Sequence, residues 1–119
     1  MDFSNLAAAK GKFEEAIADI TSSESSKDWF DLRAHAKNVG EEGIKLIESE
    51  ISYTPRLPSY GCHDPAEARK KFSSAISDLT AAQARLSDNK VEEAQQLIKR
   101  AERAAKDGVL ILFTDLDFL

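Results

Sequence analysis

Apolar residues recur along this chain at alternating intervals of three and four, the period of a helix that buries one face. In the first stretch they are Leu6, Ala9, Phe13, Ala16, Ile17 and Ile20. Leu6, Phe13 and Ile20 stand seven apart, the spacing of a bundle seam. The second stretch holds Trp29, Leu32, Ala36, Val39, Gly43 and Leu46, extended by Ile47 and Ile51. The third holds Ala68, Phe72, Ala75, Ile76, Leu79 and Leu86; the fourth holds Val91, Ala94, Ile98, Ala101, Ala105, Gly108 and Leu112. The pattern predicts helices over 4–22, 27–51, 65–86 and 90–113, with Phe13, Trp29, Phe72 and Ile98 in the core.

Polar residues punctuate the pattern. Ser4 or Asn5 can cap the first helix, and Thr21 to Ser26 form a short polar loop. Asp64-Pro65-Ala66-Glu67 reads as a capping box with proline in the first turn of the third helix. Ser87-Asp88-Asn89 is a tight turn, and Asn89 with Glu92 can cap the fourth helix. The segment Lys12-Phe13-Glu14-Glu15-Ala16-Ile17-Ala18-Asp19-Ile20-Thr21 returns 59 residues later as Lys71-Phe72-Ser73-Ser74-Ala75-Ile76-Ser77-Asp78-Leu79-Thr80. Each copy opens a helical hairpin, 4–51 and 65–113, whose short connection makes its two helices antiparallel. Two such hairpins must bury their stripes against each other. The expected fold is a single all-α domain, a four-helix bundle wired up-down-up-down. The connection 52–64 contains Pro55 and Pro58. It is also long enough to cross the bundle, and Tyr53, Leu57 and Tyr60 can pack on the helices. Gly40 and Gly43 interrupt a helix at about 1 kcal/mol each relative to Ala. Close approach of a neighbouring helix accounts for them; a kink or a gap for a small ligand is the alternative.

Composition narrows the function classes. Of 119 residues, 42% are apolar and 31% charged, which suits a globular chain able to bury a core unaided. A net charge of −5 argues against nucleic-acid binding through phosphate neutralisation. The single Cys62 allows no internal disulfide. The first residues lack the basic and apolar regions of a signal peptide, and the longest apolar run, Val109 to Phe113, is too short to span a bilayer. A cytoplasmic protein without membrane association is expected.

Candidate chemistry is sparse. Cys62-His63-Asp64 groups three metal-ligand types, but neighbours in sequence rarely chelate one tetrahedral ion, and Asp64 is expected as a helix cap. No Glu-x-x-His pair, glycine-rich phosphate loop or Gly-x-Ser-x-Gly elbow occurs. No metal, cofactor or catalytic residue is expected. Leu32-Arg33-Ala34-His35-Ala36-Lys37 resembles, over those six residues, the histidine phosphotransfer family, whose four-helix bundles carry an exposed phosphoacceptor histidine. The resemblance implies a signalling bundle using His35. The family places Lys three residues after the histidine and then Gly; here Ala36, Lys37 and Asn38 follow. Arg69, Lys70, Lys71, Lys99, Arg100, Arg103 and Lys106 can gather where the third helix begins and the fourth ends, either as a solvated face or as a basic patch for an acidic partner. Val109 to Phe113 is apolar on every side of a helix, and Thr114 to Leu119 alternates apolar and acidic. Leu110, Phe113, Leu116, Phe118 and Leu119 are therefore the expected contacts to another protein or a second copy, with Asp115 and Asp117 at the rim. The alternative is that the tail covers its own bundle. A non-enzymatic interaction module is the reading that these features favour.

Overall fold

The structure, a computed structural model, describes residues 3–47 and 64–117, with side chains from Ser4 to Ile47 and from Asp64 to Phe113. A 3-10 turn, Phe3–Asn5, runs into α1, Leu6–Ser23; α2 is Trp29–Ile47, α3 is Pro65–Ser87 and α4 is Val91–Asp117. The expected end of the second helix at Ile51, and Tyr53, Leu57 and Tyr60, lie outside the described residues. Asp64 caps α3 as its sequence requires: its backbone is extended, its side chain accepts from the Ala66 amide at 3.0 Å, and Pro65 follows. Glu67, expected to reach back to the cap, pairs with Lys70 at 3.2 Å. Asn5 stands at the N-cap of α1 but makes no side-chain cap bond, because the preceding 3-10 turn leaves its backbone already near helical. Asn89 also differs from expectation. It ends α3 rather than capping α4: it sits at φ 62°, with its amide on Leu86 O at 3.0 Å and the Lys90 amide on Arg85 O at 2.8 Å. This is a Schellman motif with asparagine in the left-handed position.

Side-chain pairs fix the topology. α1 and α2 are antiparallel, with Lys12 on Glu42 and Asp19 on His35. α3 and α4 are antiparallel, with Lys71 on Asp107 and Asp78 on Arg100. α1 also lies antiparallel against α3, Lys10 meeting Gln83 near one end and Glu24 meeting Arg69 near the other. α2 lies antiparallel against α4, Lys37 facing Phe113 and Gly40 facing Val109. Going round the bundle the order is therefore α1, α2, α4, α3. α2 and α3 are diagonal and run in the same direction. The expected up-down-up-down wiring does not hold; the bundle is up-down-down-up. Ile47 and Asp64 consequently lie at opposite ends, a bundle length of about 27 Å apart for helices of this size. Residues 48–63 must join those ends, and a chain of that length reaches about 55 Å at most.

The core is one cluster running through all four helices, with Phe13, Phe72, Ile20, Ile44, Leu79, Ile98, Leu112 and Val109 fully buried. Phe13 and Phe72 stack at its centre. Three glycines make room for them. A Cβ on Gly43 would lie 2.5 Å from the Phe13 ring, one on Gly108 3.0 Å from Phe72, and one on Gly40 2.8 Å from Phe72. The close neighbour anticipated for Gly40 and Gly43 is thus an aromatic ring, and it fills the gap that a ligand would need. Trp29, expected in the core, is only partly buried. It lies in the first turn of α2, where its ring meets Phe30 edge-on and Arg33 covers one face at 4.9 Å.

The two hairpins are copies in space as well as in sequence. Positions in α3 match those in α1 at a displacement of 59, and positions in α4 match those in α2 at 65. Lys12–Glu42 corresponds to Lys71–Asp107, Asp19–His35 to Asp78–Arg100, and Phe13 against Gly43 to Phe72 against Gly108. Thr21 and Thr80 bond back to the carbonyls of Ile17 and Ile76, each at 2.9 Å. An approximate two-fold axis perpendicular to the helices relates the halves, which is why α1 and α3, and likewise α2 and α4, are neighbours of opposite direction.

Candidate functional site

The His35 region is built by α1 and α2. A period of 3.6 puts Glu15 and Asp19 on one face of α1, one turn apart, and the antiparallel α2 lays His35 across them. Asp19 bonds Nδ1 of the imidazole, and Glu15 lies 3.8 Å from Nε2. Both ring nitrogens thus face carboxylates, which suits an imidazolium that donates from each. The Asp19 hydrogen bond holds the His35 pKa above its ordinary value; partial desolvation opposes it, and the charges of Asp19, Glu15 and Glu42 add to it. Beside it Lys12 and Glu42 pair at 2.9 Å, which raises the pKa of the lysine and lowers that of the glutamate. Among the described residues no group of three His, Cys, Asp or Glu side chains is placed to hold a metal ion. Cys62 and His63 lie outside them, and Asp64 is the α3 cap.

The apolar run at the end of α4 is divided. Val109, Ile111 and Leu112 are buried in the chain's own core. Leu110 and Phe113 are partly buried, Phe113 under the Lys37 ammonium at 5.3 Å. The expected contacts Leu116, Phe118 and Leu119 lie outside the described side chains. α4 touches both α2 and α3, so it buries a wider arc than one stripe. At this same end of the bundle α2 begins, and there Phe30 is 46% exposed beside Trp29. A cleft bordered by Ser23, Glu24, Lys27, Trp29 and Arg33 opens next to them. Buried Ser23 anchors it: the hydroxyl donates to Ile20 O at 2.6 Å and accepts from Arg33 Nε at 3.1 Å. Phe30 falls off the three-four series, so stripe counting overlooks it. The available signal is the adjacent Trp29-Phe30 pair, since neighbours about 100° apart on a helix cannot share one narrow stripe.

The basic residues gather only in part. Arg69 turns to α1, bonding Glu24 at 2.9 Å, while Lys70 pairs with Glu67 and Lys106 with Glu102 at 2.8 Å. Lys70, Lys71, Arg100 and Arg103 border a groove between α3 and α4 together with Glu67, Asp78 and Asp107, so both signs line it. Lys99 and Arg103 are exposed. No helix among the described residues is long and apolar enough to cross a membrane. No known protein family matches the chain, and no curated protein or solved structure does either.

Proposed function

We propose that this chain is a non-enzymatic interaction module that binds another protein through the end of the bundle where α2 begins and α4 finishes. The observation that supports this is Phe30, held half in solvent against Trp29 at the end where Leu110 and Phe113 are also incompletely covered. Aromatic side chains beside a stacked arginine are the composition of interface anchors. The acidic and apolar residues 114–119 extend that end in sequence, and a cytoplasmic setting accords with the single Cys62. A phosphotransfer role for His35 is the weaker reading, because a phosphoryl group approaching Nε2 would meet the Glu15 carboxylate.

Affinity capture with the unaltered chain, the Phe30→Ser variant and a chain lacking residues 114–119 tests the proposal. The expected result is a partner retained by the first and lost by the other two, with thermal stability of Phe30→Ser unchanged. Capture that is indifferent to Phe30 and to the tail sinks it. Labelling of His35 by a phosphodonor, abolished in His35→Gln, would install the phosphotransfer reading instead.

A further inference from the structure

The contacts between the hairpins are reciprocal. Lys10 of α1 reaches Gln83 of α3 at 3.1 Å, and Arg69 of α3 reaches Glu24 of α1 at 2.9 Å. Lys10 and Arg69 occupy equivalent positions in the two copies, and so do Glu24 and Gln83. The second contact is the first with the helices exchanged. Phe13 and Phe72, also equivalent, meet each other between them. Contacts in which one residue meets a second, and the second's equivalent meets the first's, define an isologous interface, the kind that joins two subunits of a symmetric dimer. Here it joins two halves of one chain.

We propose that the same interface also joins two chains. Hairpin 1 (α1 and α2) of one copy docks on hairpin 2 (α3 and α4) of another, and the remaining two hairpins do the same, giving an exchanged dimer of two complete bundles. Every hairpin–hairpin contact of the monomer recurs in that dimer, so packing does not distinguish the two forms. What distinguishes them is the entropy of association against the constraint on residues 48–63, which in the monomer must join opposite ends of one bundle. Protein concentration therefore sets the balance. Glu24 also borders the cleft beside Phe30, so the two proposals are told apart by their readouts: Phe30→Ser should abolish partner capture and leave the exchange of hairpins unchanged.

Charge reversal at the Glu24–Arg69 bridge tests it. Glu24→Arg alone sets two arginines face to face in the closed monomer, and Arg69→Glu alone sets two glutamates. In a dimer that exchanges hairpins between one chain of each variant, both bridges are of opposite charge again. The two full-length variants, one isotopically labelled, are unfolded in urea, refolded together over a concentration range reaching about a millimolar, and weighed by native mass spectrometry. The expected result is dimer that grows with concentration and is enriched several-fold in the mixed species over either homodimer, relative to random pairing. High salt should return the mixture toward random. Labelled and unlabelled unaltered chains should pair at random. Monomer at every concentration overturns the proposal. So does dimer whose mixed fraction stays random, because such a dimer uses another surface.

Discussion

Phe13 and Phe72 stack with ring centroids 5.9 Å apart and planes inclined by 22°, each fully buried and each brought there by its own copy of the repeated segment. Their pairing joins α1 to α3, which belong to different hairpins. Phe72 also fills the space beside Gly40 and Gly108. Phe72→Ala should therefore cost about 3–5 kcal/mol, since the rigid surroundings cannot collapse into the hole. A double-mutant cycle with Phe13→Ala should return a coupling of about 0.5–1.5 kcal/mol for the stacked pair. Urea titration measures both, and a loss well under 2 kcal/mol for Phe72→Ala would remove that residue from the centre of the core.

Two glycine substitutions should act in opposite directions. Gly11 has nothing within 4 Å of where a Cβ would stand, so Gly11→Ala should stabilise the protein by roughly 0.5–1 kcal/mol through helix propensity alone. At Gly43 the Cβ would lie 2.5 Å from a Phe13 ring that is itself held by Phe72. Overpacking of about 1–3 kcal/mol should exceed the propensity gain, making Gly43→Ala destabilising. Thermal melts of the two variants that moved in the same direction would contradict the packing described.

Asn89 adopts φ 62° to close the Schellman motif between α3 and α4. Glycine pays no steric penalty in that conformation, and alanine pays more than asparagine. Asn89→Gly should stabilise by about 0.5 kcal/mol, and Asn89→Ala should destabilise by about 1 kcal/mol. Equal midpoints in urea for the two variants would mean that the turn is not held in the left-handed state.

His35 should make stability depend on pH. Its pKa is raised in the folded chain by the Asp19 bond, so the folded state holds the proton more tightly than the unfolded one does. The stabilisation is fully present below the unfolded value of about 6.5 and is lost as pH rises through the raised folded value. Because the side chain is half exposed, at most about 1 kcal/mol is at stake. His35→Arg, which reproduces the situation of Arg100 against Asp78, should flatten this part of the melting profile. His35→Gln should flatten it at the lower, high-pH level. If the fall in stability above about pH 6.5 survives both substitutions, another group is responsible.

Much of the local structure is determined by the sequence alone. Periodic stripes, the Asp64-Pro65 cap and the polar breaks specify four helices and two antiparallel hairpins, because these signals act over a few residues and need no partner. The repeat around Phe13 and Phe72 likewise marks the central residues correctly. A second repeat was equally legible: Glu42-Gly43-Ile44-Lys45-Leu46-Ile47 returns as Asp107-Gly108-Val109-Leu110-Ile111-Leu112, hidden only by a displacement of 65 instead of 59. The difference arises because α3 has 23 residues where α1 has 18, the turn after it is two residues shorter, and α4 begins three positions earlier than the equivalent start of α2. Which hairpin face meets which was decided only in the tertiary structure. A stripe states that a face must be buried, not against what, and residues 48–63 are long enough for either wiring. Trp29 fits the α2 series, yet it stands in the first turn, where periodicity carries no information about whether a neighbouring helix extends that far. His35 shows the same limit, because the carboxylates that hold its proton come from α1, sixteen and twenty residues earlier in the chain. Burial and proton affinity depend on what lies across a contact, and that is a property of the assembled helices.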